Sequence, residues 1–221
     1  MRNVDAIKKL GPLLWLSASN FDGNHPNAQG AVTGVATGRT QDSIGNGVTS
    51  SGTINVVNDN GMSAYYFDKS NSITSEAVVN SQYTFVAIFK KLTPSENQGR
   101  FFTAHVENRL FASWSIYAGV WHVDEWITSS TQRTADNSIE FYIGTNNNDI
   151  KNMWDAKRYS QIVSSSSAGQ NVWGKTVIGR PSYAELEAAA VYVYEVLVFN
   201  REINNDEREG LTECFKQKYK I

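Results

Sequence analysis

The segment Ala189–Phe199, AAVYVYEVLVF, is the longest strand-like run in the sequence. Valine and tyrosine dominate it, and β-branched and aromatic side chains favour extended backbone. Shorter runs of this kind recur along the chain at Leu13–Ala18, Ser63–Phe67, Tyr83–Phe89, Phe101–Val106, Arg109–Trp114, Val120–Ile127, Ser138–Ile143 and Lys175–Ile178. Clusters of Gly, Asn, Ser and Asp, which favour turns, separate them. This pattern predicts an all-β sandwich or jelly roll.

The composition points the same way and narrows the possible functions. The chain has 221 residues, and its 21 Asn, 22 Ser and 15 Thr outnumber its charged residues. No linker or internal repeat divides it, so we predict one domain over residues 1–221. A net charge of −2 argues against binding to nucleic acid, which needs clustered Lys and Arg. No apolar run approaches the ~18 residues of a membrane span, so we expect no membrane insertion.

The two ends of the chain carry distinct local signals. Leu10–Leu16 is apolar but interrupted by Gly11 and Pro12, which favours a first strand over a signal peptide. Near the other end, Asn204 and Glu207 have the spacing of a helix capping box. An apolar stripe with helical spacing follows at Leu211, Cys214, Phe215 and Tyr219. The sequence therefore predicts a short C-terminal helix, with Cys214 as a buried, inert thiol.

Several segments, taken together, resemble a known family. They are Val177–Arg180 (VIGR), Val193–Ile203 (VYEVLVFNREI), Lys218-Tyr219, and the earlier segments Leu14–Asn20 and Phe67–Thr74. The sequence resembles the concanavalin A-like lectin/glucanase superfamily, in its laminin G-like jelly-roll branch. The resemblance implies a two-sheet antiparallel jelly-roll sandwich with a short C-terminal helix. It does not fix the activity, because this fold hosts many functions.

Departures from the family pattern weaken the case for a bound cation. Members often carry Asp where this chain has Ser17 and Asn20, and hard cations need several charged or carbonyl oxygens. The alternating Asn20, Asp22 and Asn24 are better interpreted as an Asx-stabilised turn. One cysteine and three histidines offer no metal-ligand spacing. We expect neither a metal nor a cofactor.

The sequence also lacks the catalytic residues of the glucanase members. Those members place three alternating carboxylates on one strand, whereas Asp124 and Glu125 are adjacent and would point to opposite faces. We predict that the protein is not an enzyme and has no catalytic residues. Glu195, set among apolar residues, is interpreted as a structural ion pair with Arg180 or Arg201, the alternative being a site acid.

Tryptophans supply the candidate binding site. Five of the six lie in the second half of the chain, and sugars present apolar faces that stack on indole rings. Along Val120–Ile127, alternation on one strand would place His122, Asp124 and Trp126 on a common face. Trp121 and Trp154 complete the candidate set of ligand-binding residues. The competing interpretation is that these tryptophans belong to the core.

These observations favour a non-catalytic carbohydrate-recognition or adhesion module. We expect it to be presented on a larger particle, because the chain resembles virion accessory proteins of bacteriophages that decorate capsids or associate with tails. The expected partners are a surface glycan or polysaccharide and other virion structural proteins, with homo-oligomers or multi-copy display. The expected location is the virion surface, with the extracellular space or a cell surface as the alternative. A purely structural virion protein and, less favoured, a glycoside-active enzyme are the alternative functions.

Overall fold

The structure of the protein is a computed structural model. It describes residues 4–18, 37–41, 47–92, 99–115, 117–123, 125–134, 136–148, 150–165, 172–181 and 185–221. The elements are α1 Val4–Lys9, β1 Leu14–Ser17, β2 Thr37–Gln41, β3 Gly47–Ser51, β4 Asn55–Asp59, β5 Met62–Asp68, β6 Ser72–Val79, β7 Gln82–Lys91, β8 Phe102–Ala104, β9 Leu110–Trp114, β10 Tyr117–Val123, β11 Glu125–Thr134, β12 Glu140–Asn147, β13 Lys151–Asp155, β14 Ser160–Ser165, β15 Gly174–Gly179, β16 Ala190–Phe199 and α2 Asn205–Tyr219. A 3-10 turn occupies Glu185–Glu187.

The sixteen strands of the described residues form two antiparallel sheets. Sheet A has the order β14-β13-β12-β7-β16-β5-β4, with β1 also paired to β16, and sheet B has the order β11-β10-β9-β8-β15-β6-β3-β2. The predicted all-β, two-sheet antiparallel sandwich with a short C-terminal helix is therefore confirmed. The assignment of residues 1–221 to a single domain stays a prediction.

Strand β16 is an interior strand of sheet A and has three neighbouring strands. It pairs with β7 along its length, with β5 through its first half and with β1 through its second half. Val191, Val193, Val196 and Val198 lie in the core between the sheets, whereas Tyr194, Leu197 and Phe199 belong to a second cluster on the outer face. A strand buried on both faces needs a nearly continuous apolar sequence, which explains the run that marked the fold.

Aromatic rings fill the core between the sheets. Phe85 lies 4.5 Å from Trp173, 5.0 Å from Phe102 and 5.4 Å from Phe111, measured between ring centroids. Trp121 packs edge-on against Phe111 at 5.5 Å. Tilted and edge-to-face contacts of this kind add to the stabilisation from burial alone.

The second cluster, which we call the outer core, lies between sheet A and helix α2. The predicted stripe of Leu211, Cys214, Phe215 and Tyr219 is buried there against residues that include Trp15, Phe141 and Tyr194.

The capping box is confirmed. Asn204 Oδ1 accepts the Glu207 amide at 2.9 Å, and the Glu207 carboxylate accepts the Asn204 amide at 2.9 Å. Burial raises the pKa of the Cys214 thiol, as an inert core cysteine requires.

Two local predictions need correction. The predicted strand Val120–Ile127 is not continuous, because β10 ends at Val123 and β11 pairs back on it from Glu125. The short helix α1, Val4–Lys9, was not predicted; its Ile7 is buried in the outer core. A helix this short depends on tertiary packing, so its local sequence signal is weak.

Within the described residues, no helix is long and apolar enough to cross a membrane.

Glu207 gives the helix start a specific dependence on pH. The hydrogen bonds from Arg201, both 2.8 Å, lower the pKa of Glu207 below its ordinary value of 4.5, and burial opposes them. A carboxylate with a lowered pKa stabilises the folded protein above its unfolded pKa, and this contribution is lost as the pH falls. Glutamine keeps the capping geometry but removes the charge.

We therefore expect Glu207→Gln to lower Tm at neutral pH and to flatten the fall in Tm below about pH 4.5. Thermal melts between about pH 3 and 7 measure this difference. Glu209→Gln, a substitution on an exposed side chain of the same helix, is the matched control. Parallel curves for wild type and Glu207→Gln would contradict the prediction.

Candidate functional site

The predicted sugar-binding residues do not form one site. Trp121 is 0 % exposed and packs among Tyr83, Phe85 and Phe111. A ring enclosed on all sides cannot stack on a ligand, so Trp121 belongs to the core and its assignment to the binding site is corrected. Trp173, which was not in the candidate set, is buried in the same way.

His122 lies near the end of β10. Its Nδ1 is 2.6 Å from the carbonyl oxygen of Asn108. The hairpin register places Trp126 directly opposite His122, so the two positions are cross-strand partners rather than alternate residues of one strand. Asp124 lies outside the described residues. The proposed His122, Asp124 and Trp126 patch stays a prediction.

Trp154 lines a groove of about 340 Å³ between strand β13 and helix α2. Alternation along β13 buries Met153 between the sheets and turns Trp154 to the outer face, where α2 lies. The remaining residues of the groove come from the turn after β13 and from α2: Ala156, Tyr159, Arg208, Glu209, Thr212 and Glu213. We call this the Trp154 groove.

A cation lies over each aromatic ring of the groove, and a carboxylate lies beside Tyr159. The Arg208 guanidinium is 4.4 Å from the centroid of the Trp154 ring, and Lys216 Nζ is 3.5 Å from that of Tyr159. The Tyr159 hydroxyl donates a hydrogen bond to Glu213. This bond, and to a lesser extent burial, raises the pKa of Tyr159. The groove thus combines apolar rings, hydrogen-bond donors and acceptors.

The turn that carries Tyr159 is fixed by buried charges. Asp155 accepts the backbone amide of Arg158 at 3.1 Å, and its carboxylate lies 2.5 Å from the Arg158 guanidinium. Glu140, also buried, lies 3.4 Å from the same guanidinium and accepts a hydrogen bond from Tyr142. Tyr159 itself has φ +54°, a conformation that non-glycine residues rarely adopt. Tyr159 is 61 % exposed, so this rigid turn holds its ring at the surface.

Glu195 has a structural role, as predicted, but its partner differs from the predicted ones. The carboxylate is 0 % exposed and pairs with Lys218, not with Arg180 or Arg201. It also accepts hydrogen bonds from Trp15 and Ser17, both 2.8 Å, and from the Tyr219 hydroxyl at 2.9 Å. The Lys218-Tyr219 pair at the end of α2 therefore closes over Glu195, whereas Arg201 binds Glu207.

Most residues of the Trp154 groove carry no sequence signal for a binding site. Arg208 and Thr212, and likewise Glu209 and Glu213, are four residues apart, and this spacing places each pair along one side of the helix. Nothing local indicates that this side faces Trp154.

The predicted Asx turn at Asn20, Asp22 and Asn24 lies outside the described residues. Among the described residues, no group of three or more His, Cys, Asp or Glu is placed to hold a metal ion.

No sequence family and no curated protein matches the chain. Solved structures do match its fold. The receptor-binding domain of botulinum neurotoxin type G has a TM-score of 0.60 at 14% identity over 92% of this chain and 51% of that one. Domain 4 of a GH43 extracellular arabinanase from Geobacillus stearothermophilus, in complex with arabinotriose, has a TM-score of 0.55 at 11% identity over 73% and 82%. The chain therefore has the fold of a jelly-roll β-sandwich.

A third match, a mutant Trypanosoma rangeli sialidase with trans-sialidase activity, has a TM-score of 0.57 at 12% identity over 95% of this chain. This chain spans about half the length of the neurotoxin domain (51%) and a third of the sialidase (33%). At these identities the likeness to the three proteins is one of fold. The bacteriophage and virion assignments stay predictions.

Proposed function

We propose that this protein is a non-catalytic carbohydrate-recognition module that binds a glycan in the Trp154 groove. The observation that carries the proposal is the juxtaposition of the Trp154 and Tyr159 rings with Arg208, Glu209 and Glu213 in one cavity. Aromatic rings accept the apolar faces of sugars, while carboxylates and a guanidinium bind their hydroxyl groups. The fold supports the proposal, because the arabinanase domain was solved in complex with arabinotriose, and cell entry of a further structural neighbour, botulinum neurotoxin type C, depends on interaction with two ganglioside molecules.

The positions of these carboxylates favour glycan binding without cleavage. Glycoside hydrolysis needs an acid and a nucleophile or base that flank the scissile bond. Glu209 and Glu213 are four residues apart on one helix, so both lie on the same wall of the groove. The most buried acids, Glu140, Asp155 and Glu195, are held in structural ion pairs.

Weak sites of this kind favour display in many copies. A shallow sugar site has a Kd of roughly 0.1–1 mM, or about −4 to −5.5 kcal/mol. Tethering several sites multiplies avidity by ~10²–10⁴ when they can engage together. Presentation on a particle, with a virion surface as the predicted location, would supply that multiplicity.

We expect Trp154→Ala to weaken glycan binding about tenfold, since each 1.4 kcal/mol lost is a factor of ten and burying a large apolar side chain contributes about 1.5–3 kcal/mol. A glycan array probed with the multivalently displayed protein identifies the ligand, and titration calorimetry measures the loss. Tyr159→Ala, at an exposed side chain, should weaken binding without affecting the fold.

Trp114→Ala is the matched control, because Arg100 lies 4.7 Å over that ring in a similar stack on sheet B. It should leave glycan binding unchanged. If the displayed wild type binds no glycan but still attaches to purified particles, the protein is a structural component and the proposed function is wrong.

A further inference from the structure

We propose that the Trp154 groove selects neutral sugar units and rejects acidic ones, an inference that rests on the proposed function. The observation behind it is the balance of charges at the groove. Two carboxylates, Glu209 and Glu213, and two cations, Arg208 and Lys216, lie at or beside its walls. The contacts that each of these groups already makes within the protein decide whether it can bind a ligand.

The two cations are largely committed to the protein. Lys216 Nζ donates to the carbonyl oxygen of Lys157 at 2.8 Å and covers the Tyr159 ring. Arg208 donates to Asn205 Oδ1 at 2.9 Å and covers the Trp154 ring. Its second terminal nitrogen lies 3.7 Å from Glu209, so its positive charge already has a counter-charge. A ligand can still accept a hydrogen bond from this guanidinium, whose five donors exceed the contacts described.

The carboxylates leave more capacity for a ligand. The Glu209 side chain is 71 % exposed, and its only described contact is the 3.7 Å approach to Arg208. Glu213 accepts one hydrogen bond, from Tyr159, whereas a carboxylate has about four acceptor positions. Sugar hydroxyls can donate to these oxygens. A sugar carboxylate would instead compete with Glu209 for Arg208 and would be repelled by Glu213.

A neutral sugar satisfies this arrangement without disrupting it. Its hydroxyl groups both donate and accept, so one ring can donate to the carboxylates of Glu209 or Glu213 and accept from Arg208. Its apolar face can lie against the parts of the Trp154 and Tyr159 rings that line the groove. Because no net charge is neutralised on binding, the affinity should depend little on salt.

The test compares immobilised neutral polysaccharides (mannan, arabinan and dextran) with acidic ones (polygalacturonate and polysialic acid), probed with the intact protein in multivalent form. We expect the wild type to bind at least one neutral polymer about tenfold more tightly than either acidic polymer. Raising the salt from about 50 to 500 mM should change the neutral affinity by less than about twofold.

The double substitution Glu209→Gln/Glu213→Gln leaves Arg208 and Lys216 as the charges of the groove. It should reverse the preference, weakening neutral binding about tenfold and creating salt-sensitive binding to the acidic polymers. Glu107→Gln, the same charge change on an exposed turn between β8 and β9, is the control and should change neither.

The outcomes separate this inference from the proposed function. Tighter, salt-sensitive binding of an acidic polymer by the wild type would overturn the inference and leave carbohydrate recognition standing. Binding of neutral polymers that is unaffected by the double substitution would also overturn it, because the carboxylates would then not contact the ligand. Absence of binding to all five polymers and to the glycan array would contradict the proposed function itself.

Discussion

Replacing Glu195 by alanine is expected to lower the free energy of unfolding by about 3–5 kcal/mol. The substitution removes the counter-charge of Lys218, whose side chain is 8% exposed, and leaves that ammonium group buried. It also removes the acceptor for Trp15, Ser17 and Tyr219, whose donors lie at the junction of β1, β16 and α2. A loss of this size is a large fraction of the 5–15 kcal/mol that stabilises a typical domain. Urea unfolding followed by circular dichroism measures it.

Controls distinguish loss of the ion pair from loss of a side chain. Glu107→Ala, at an exposed position, should change stability by less than about 0.5 kcal/mol. The double variant Glu195→Gln/Lys218→Met should lose less stability than the sum of the losses of its two single variants. With both substitutions present, neither charged group of the ion pair remains. Additive losses would show that the two groups do not interact in the folded protein.

Phe215→Ala is the second substitution with a large expected effect. Phe215 is fully buried in the outer core and meets Phe141 edge-on, with ring centroids 6.0 Å apart. Truncating a buried phenylalanine costs about 3–5 kcal/mol, through lost burial and the cavity left behind. For a chain of this size that corresponds to a fall in Tm of roughly 6–20 °C. Thermal melts followed at a tryptophan-sensitive wavelength measure it.

Phe215→Leu keeps most of the buried volume and should cost less than about 1.5 kcal/mol. A loss below about 1 kcal/mol for the alanine variant would contradict the docking of α2 on sheet A. The same variant should weaken glycan binding only indirectly, because Phe215 does not line the Trp154 groove. This separates the stability of the helix from its role as one wall of the site.

The local sequence was sufficient for the elements whose signal lies within a few residues. The capping box at Asn204 and Glu207 and the apolar stripe of α2 both depend on spacings of three and four residues, and both are confirmed. The apolar run of β16 was also sufficient to predict that strand, because a strand buried on both faces has apolar residues at successive positions. Alternation along the strand also predicted that Trp121 faces away from His122. Trp121 is buried, in agreement with that prediction.

Polar strands and chain reversals were harder to predict. Strands β6 and β14 are rich in serine and lie with part of their surface exposed, so they lack the apolar signal of the central strands. The reversal after Val123 carries no glycine or proline, and the sequence around it therefore resembled one continuous strand. Pairing with β9 on one side and β11 on the other, rather than local propensity, fixes this hairpin.

What the sequence by itself determined was the all-β class, the central strand, the helix and the structural role of Glu195. Only the tertiary structure decided the partner of that carboxylate, because Trp15 and Glu195 are 180 residues apart and Lys218 reaches them from the docked helix. The Trp154 groove was decided in the same way, since Tyr159 and Glu213 meet across 54 residues. Short-range spacing fixes the conformation of one element, whereas a site built from several elements exists only after their buried faces have packed together.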